Sequence, residues 1–212
     1  MSQQLHFKDF PGRIIFVGFG AIGQGVLPLI LRHIGCPPER TTIVSAEEQG
    51  SEQARSHGIK FIKERLTREN LRRTLDPLVG RGDFIVNVSV DVSSIALIRL
   101  AWEKGAMYLD TCIEPWPGGY TDAAAPPAKR TNYALREEAL ALRKGGERHP
   151  TAVLTHGANP GLVSHLVKQA LVNIAGDLKV DAGKLQTRED WAGLAKSLDV
   201  RTIHIAERDT QV

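Results

Sequence analysis

The sequence has little cysteine: Cys36 and Cys112 are the two among 212 residues. They stand far apart and offer no disulfide framework, so both are read as reduced thiols. The seven histidines are scattered, and no Cys-x-x-Cys or His-Glu-x-x-His pattern occurs, which argues against a metal site. No run approaches the roughly 18–20 apolar residues of a membrane span. Residues 1–10 are polar and mixed in charge, without the apolar region of a secretion signal. Charge of one sign is not concentrated either. The formal net charge is +3, with Lys and Arg interleaved with Asp and Glu, so the basic face of a nucleic-acid binder is missing. These absences lead to the expectation of a cytoplasmic protein with neither nucleic acid nor membrane as partner.

What is present is core material, with 42% hydrophobic residues. Short β-branched runs alternate with longer helical patterns, the layout of βαβ units on a parallel sheet. Strands are expected at 13–17, 42–44, 60–62, 84–88, 107–109 and 152–154. Helices are expected at 22–34, around 52–57 and at 93–104, and 115–127 reads as a long Pro- and Gly-rich loop. Asn159 fits an N-cap and Pro160 a first helical position before an apolar pattern of Leu162, Leu166, Val167, Ala170, Leu171 and Ile174. Thr187 with Asp190 marks another helix start ahead of Trp191, Leu194 and Leu198. A last strand is expected at 202–205. The fold class is therefore α/β: a doubly wound parallel-sheet Rossmann domain over 1–175, then the start of a truncated α+β substrate domain over 176–212.

The most specific local signal is Gly18-Phe19-Gly20-Ala21-Ile22-Gly23, which follows an apolar strand and opens a helix. In such a loop the first glycine permits the tight turn and the second lets backbone approach a pyrophosphate. The third lets helix and strand pack closely. The helix N-terminus, at Ala21 and Ile22, offers unpaired N–H groups to an anion. The residue that binds the ribose 2′-hydroxyl usually lies about 20 residues on. Ser45 stands there, with Glu47 close behind, and no arginine in that stretch welcomes a 2′-phosphate. The cofactor reading is accordingly NAD.

Polar groups gather where strands end. Asn87-Val88-Ser89-Val90-Asp91 runs straight out of a strand, where open α/β sheets bind ligands, although Asp91 is equally an N-cap for the next helix. Asp110-Thr111-Cys112-Ile113-Glu114-Pro115-Trp116 leads into the long loop; Glu114 is read either as a site carboxylate or as a solvated one, and Trp116 either as a site residue or as a loop anchor. Cys112 has no His or Lys beside it to activate its thiol and reads as packed. Thr155-His156-Gly157-Ala158-Asn159-Pro160-Gly161 brings small residues to another strand end, with His156 a weak acid–base candidate. Alternation along 202–207 places Glu207 on the face of Ile205 and suggests a semi-buried carboxylate, with Arg208 paired to Asp209.

Taken together, several segments resemble the bacterial homospermidine synthases, members of the saccharopine dehydrogenase-like proteins. They are Val17 through Gly25, Asn87 through Ser94, Ile113-Glu114-Pro115-Trp116, Asn132-Tyr133-Ala134-Leu135-Arg136, Gly157 through Gly161 and Ile203 through Gln211. The resemblance implies an enzyme that retains NAD and joins two putrescine molecules with loss of ammonia. In that chemistry hydride leaves an amine-bearing carbon, the second amine displaces ammonia through Schiff-base exchange, and hydride returns. By motif match the amine site would draw on Asp91, Glu114, Asn159 and Glu207. Asp91 and Glu114 would hold ammonium groups, Asn159 would orient the reacting amine, and Glu207 would bind or relay protons at the inner amine. The cofactor would meet Gly18, Gly20, Ala21, Ile22, Gly23, Ser45, Glu47, Ser89, Thr111, Ala158 and Pro160. A homodimer is expected. The departures are Ser45, where the family tends to carry an acid, and a length well short of the family's, which points to a fragment. Two alternatives stand beside this: an amino-acid oxidoreductase of the saccharopine dehydrogenase kind, and a non-catalytic NAD-binding module. An amino-acid substrate calls for Arg or Lys at its carboxylate, whereas these segments supply carboxylates.

Overall fold

The computed structural model describes residues 8–143 and 146–207. The Arg208–Asp209 pairing and most of the polar start thus lie outside the described residues. The chain divides into two compact units, 1–155 and 156–212.

The first unit is a parallel sheet wrapped by helices. Its strands and helices alternate as β1 (Lys8–Asp9), β2 (Ile14–Val17), α1 (Ala21–His33), β3 (Ile34–Gly35), β4 (Thr41–Ser45), α2 (Ser51–Ser56) and β5 (Lys60–Lys63). They continue as α3 (Leu71–Leu75), β6 (Phe84–Asn87), α4 (Ser94–Lys104), β7 (Met107–Asp110), α5 (Asn132–Ala141) and β8 (Ala152–Val153). The described residues form a six-stranded sheet in the order β5-β4-β2-β6-β7-β8, all neighbours parallel. β1 and β3 make a separate short parallel pair. The strand order reverses between β2 and β6, and that reversal is where doubly wound sheets bind ligands.

β2 explains the doubly covered sheet. All four of its residues are buried, as expected of a parallel strand with helices on both faces. Alternation sends Ile15 and Val17 into a core with Leu97, Leu100 and Tyr108. Ile14 and Phe16 enter the opposite core with Leu27, Ile43 and Ala54. Each such side chain stabilises the fold by about 1.5–3 kcal/mol. Asp83 sits just before β6 as a buried carboxylate satisfied by the Arg13 backbone N–H at 2.8 Å, the Arg13 guanidinium at 2.7 Å and Gly80 N–H at 2.7 Å. It pins the starts of the two central strands together.

The second unit is built from α6 (Leu162–Asp177) and α7 (Arg188–Ser197). Leu171, Ala175 and Leu194 form its core, with Val167, Trp191 and Leu198 packed around them. The division at 155/156 therefore assigns the 162–177 helix to the second unit rather than to a first domain ending at 175. Of its expected apolar pattern, Val167 and Leu171 join the core with α7, whereas Leu162, Leu166 and Ile174 are exposed. The α7 start is a full capping box, in which Thr187 Oγ1 accepts from Asp190 N–H and Asp190 accepts from Thr187 N–H.

Three expectations are corrected. α6 begins at Leu162 behind a Gly161 cap, so Asn159 does not cap it and Pro160 is not its first residue. The 157–161 segment instead closes on itself through Gly157 N–H to Pro160 O and Leu162 N–H to Gly157 O, with a cis Asn159–Pro160 bond. The cap of α4 is Ser93, whose hydroxyl accepts from Ala96 N–H at 3.3 Å, and not Asp91. Residues 201–207 are irregular and exposed rather than a strand at 202–205. Ile203 and Ile205 bury neither face, and no described strand pairs with them, so alternation alone holds nothing in place.

Candidate functional site

Three strand ends meet at the sheet reversal. The turn after β2 begins at Gly18, whose φ of +86° lies in the left-handed region. A Cβ on Gly18 would fall 2.6 Å from Ser89 Cα, so the exits of β2 and β6 approach closely only because Gly18 has no side chain. Gly23 plays the packing part expected of it: a Cβ there would meet Phe19 at 2.9 Å and Val88 at 3.4 Å. Gly20 differs. A Cβ on it would meet no protein atom within 4 Å, so its face is open. Gly20 caps α1 without a side-chain bond, and the first turn carries no acidic residue, which leaves the amide end available to an anion. Ala21 and Ile22, in that first turn, are exposed.

A cleft of about 470 Å³ opens beside this loop. Gly18 and Gly20 line it, with Ser45 and Glu47 from the end of β4 and Ser89 and Asp91 from the turn after β6. Arg65 and Arg68 after β5 and Trp116 from the long loop complete the wall. The size and the mixture of apolar wall and few polar groups suit a small-molecule or cofactor site. Arg68 lies 5.6 Å from the Trp116 ring centre, a cation–π distance. Arg65 pairs with Glu47 at 3.0 Å. The arginines were not anticipated. Their signal was their position just beyond a strand's carboxyl end, next to the strand that carries Ser45.

Behind the cleft runs a buried polar chain. Ser89 Oγ donates to Asn87 Oδ1 at 2.6 Å, Asn87 Nδ2 donates to the Tyr108 hydroxyl at 3.0 Å, and Tyr108 donates to Asp110 Oδ2 at 2.9 Å. Asp110 Oδ1 accepts from Thr155 N–H at 2.5 Å. Burial pushes the Asp110 carboxyl up, against the downward pull of its hydrogen bonds, and pushes the Tyr108 hydroxyl well above its ordinary range. Asp110 is wholly buried, so Asp110→Ala strands the Thr155 and Tyr108 donors. We expect it to cost roughly 2–5 kcal/mol in urea unfolding, whereas Asp110→Asn, which keeps an acceptor, costs less. The folded carboxyl titrates above its unfolded value. Its contribution is therefore complete at low pH and lost as pH rises through the raised pKa, and Asp110→Asn removes that decline.

Asp91 and Glu114 share the acidic corner. Asp91 is exposed on the cleft wall, with φ +66°, a left-handed conformation that Asp tolerates better than most residues. Glu114 is half-buried, and its backbone N–H is held by Ser94 Oγ at 3.0 Å. Burial pushes the Glu114 carboxyl up, and the charges of Asp91 and Asp110 add to this, while a hydrogen bond from the Cys112 thiol opposes it. The Cys112 thiol is itself pushed up by burial and by Glu114, which fits the packed, unreactive reading. Tyr120 from the long loop donates to Ile113 O at 2.9 Å and is pushed up to about 12, chiefly by burial.

The cleft thus gathers Gly18, Gly20, Ser45, Glu47, Ser89 and Asp91, with Glu114 coupled to Asp91. Thr111 is half-buried directly after β7 and is not among the residues lining the cleft. Ala158, Asn159, Pro160 and Glu207 belong to the second unit, where all four are exposed. For Glu207 this replaces the semi-buried carboxylate read from alternation. His156 packs edge-on against His165 at 5.5 Å. The described residues contain no cluster of metal-ligating side chains, and no described helix is long and apolar enough to cross a membrane.

A glycine turn, an open helix N-terminus and a cleft at the strand-order reversal define a doubly wound dinucleotide-binding domain. Residues 14–153 match the saccharopine dehydrogenase NADP-binding domain, and the chain belongs to that family. It is 48% identical over 208 residues to a homospermidine synthase of Blastochloris viridis, and 44% identical over 210 residues to one of Mesorhizobium japonicum. These alignments cover 97% of this chain but 44% and 43% of those proteins, so the chain spans less than half their length. The crystal structure of a homospermidine synthase from Legionella pneumophila, in complex with NAD, superposes with a TM-score of 0.78 at 38% identity. It covers 89% of this chain and 39% of that one.

Proposed function

We propose that this chain is the NAD-holding part of a homospermidine synthase, which joins two putrescine molecules with release of ammonia. The observation that carries the reading is an acidic corner, Asp91 with Glu114, set beside a glycine-loop cleft at the sheet reversal. A diammonium substrate needs anionic partners, and an ion pair at 4 Å contributes about 4 kcal/mol at an effective dielectric near 20.

The residues present fit a dinucleotide. Gly20 leaves an open face beside the α1 amide end for the pyrophosphate, and Ser45 and Glu47 stand at the β4 end where an adenosine ribose is bound in such domains. Ser89, its hydroxyl fixed by donation to Asn87 Oδ1, lines the cleft. When bound, NAD supplies a reversible hydride acceptor for an amine-bearing carbon. Asp91 and Glu114 bind the ammonium groups and orient the carbon chain. The raised Glu114 carboxyl is a group able to take and return a proton as amines change between charged and neutral forms. Trp116, with Arg68 over its ring, walls the cleft. Asn159 is assigned the orientation of the reacting amine and Glu207 proton relay, both on the motif match.

The test uses the complete protein that carries this chain, with C1-deuterated putrescine and substoichiometric NAD+. Homospermidine is expected to accumulate over many turnovers with no net NADH. Steady NADH growth with a simple oxidised amine, or no amine turnover, would overturn the proposal.

A further inference from the structure

Asn87, Ser94, Tyr108 and Asp110 are buried polar side chains gathered where β6, β7 and the start of α4 meet. Apolar groups of the same shape can replace such sets at little cost to folding, so their polarity calls for another use. We propose that Asp110 is a positioning residue for both halves of the site: through Ser94 it sets the backbone of Glu114, and through Tyr108 and Asn87 it sets the hydroxyl of Ser89. The Glu114 half rests on the homospermidine synthase reading above, and the Ser89 half on the dinucleotide reading.

The first limb ends on Glu114. Ser94 is the first residue of α4, so its N–H has no partner within the helix, and it donates to Glu114 O at 2.9 Å. Ser94 Oγ accepts the Glu114 N–H at 3.0 Å. One serine thus holds both backbone groups of Glu114. Having accepted there, the hydroxyl keeps its own proton to give, and it hydrogen-bonds the Asp110 carboxyl. It also reaches the Tyr108 hydroxyl, which serves the same carboxyl.

The second limb ends on Ser89. Asp110 Oδ2 takes the Tyr108 proton at 2.9 Å, which leaves the Tyr108 oxygen to accept from Asn87 Nδ2 at 3.0 Å. That fixes which way the Asn87 amide faces. Its Oδ1 is turned to Ser89, where it accepts the backbone N–H at 3.2 Å and the hydroxyl proton at 2.6 Å. Ser89 lines the cleft. A single carboxyl therefore orders a cleft residue and the acidic corner before any ligand arrives, and small losses of such order are costly to turnover.

The experiment uses the complete protein, calorimetric titration of NAD+, turnover of putrescine and a melting temperature for each variant. Ser94→Ala cuts the first limb: kcat is expected to fall about tenfold or more, with NAD+ affinity changed less than about twofold. Tyr108→Phe cuts the second limb: NAD+ is expected to bind about fivefold or more weakly, with kcat at saturating NAD+ changed less than about threefold. Asp110→Asn is expected to show both losses. A merely structural network would lower both quantities together in Ser94→Ala and in Tyr108→Phe, and that outcome overturns the inference. Native kcat in Ser94→Ala, native NAD+ affinity in Tyr108→Phe, or an Asp110→Asn protein that spares either quantity also overturns it. A wild-type protein that binds NAD+ without turning over amines overturns the homospermidine synthase reading and the Glu114 half with it, while the Tyr108→Phe titration still decides the Ser89 half.

Discussion

In the complete protein, Glu114→Gln should lower kcat/KM for putrescine about 100-fold or more while changing NAD affinity less than about twofold. Glu114 is half-buried, tied by its backbone to Ser94 and coupled to Asp91, yet it is not part of the cleft wall that would face the dinucleotide. Glutamine preserves shape and removes the charge that an ammonium group needs. The same carboxyl should set the acid limb of the pH–rate profile. Burial first, then Asp91 and Asp110, hold it above the ordinary glutamate range, so activity should fall at a higher pH than an unperturbed glutamate, near 4.3, would dictate. Asp91→Asn removes one of the raising charges and should move that limb to lower pH. An acid limb that stays in place would show that Glu114 does not govern it.

Gly18→Ala should damage both the fold and the cofactor cleft. The new Cβ would sit 2.6 Å from Ser89 Cα and 2.7 Å from Ser89 N, and both contacts are backbone, which has little room to move. The +86° φ adds the left-handed penalty of an ordinary residue. Strain and overpacking together should cost roughly 2–4 kcal/mol of stability. NAD affinity should fall beyond about 100-fold, because the variant pushes apart the two strand exits that form the cleft floor. Urea unfolding reads the first quantity and calorimetry the second. A variant with native stability and native affinity would show that the β2 and β6 exits can separate without consequence.

The sheet was largely legible because its strands are short apolar runs, and the central β2 is β-branched and buried on both sides. The six strands of the main sheet appear within a residue or two of their expected places, and the Gly18–Gly23 loop lies at the reversal that its motif implies. The helices α3 and α5 were not read. α3 has five residues, too few for a period, and α5 buries a single residue, Ala139. Cap assignments failed at Asn159 and Asp91 for a shared reason. A capping residue type is a local preference, and the 157–161 hydrogen bonds and the Ser93 hydroxyl each satisfied the helix start one or two residues later. The 202–205 strand failed because alternation predicts a face but not a partner. At the cleft, Ser45, Glu47, Ser89 and Asp91 were recognised from strand ends. Arg65, Arg68 and the Tyr108–Asp110 chain were not, since they become site features only when β5 and β7 are laid beside their neighbours.

The most direct test of the dinucleotide site is titration of NAD+ into the wild-type chain and into Gly20→Ala side by side, with melting temperatures recorded for both. An added Cβ at Gly20 touches no protein atom within 4 Å, and the change costs the α1 cap no more than about 1 kcal/mol, so the fold should barely register it. A pyrophosphate seated on the loop would register it strongly. The prediction is saturable NAD+ binding by the wild type, weakened about tenfold or more in Gly20→Ala, with melting temperatures within a few degrees. Equal affinity in the two proteins, or no NAD+ binding by the wild type, would contradict a dinucleotide on the Gly18–Gly23 loop.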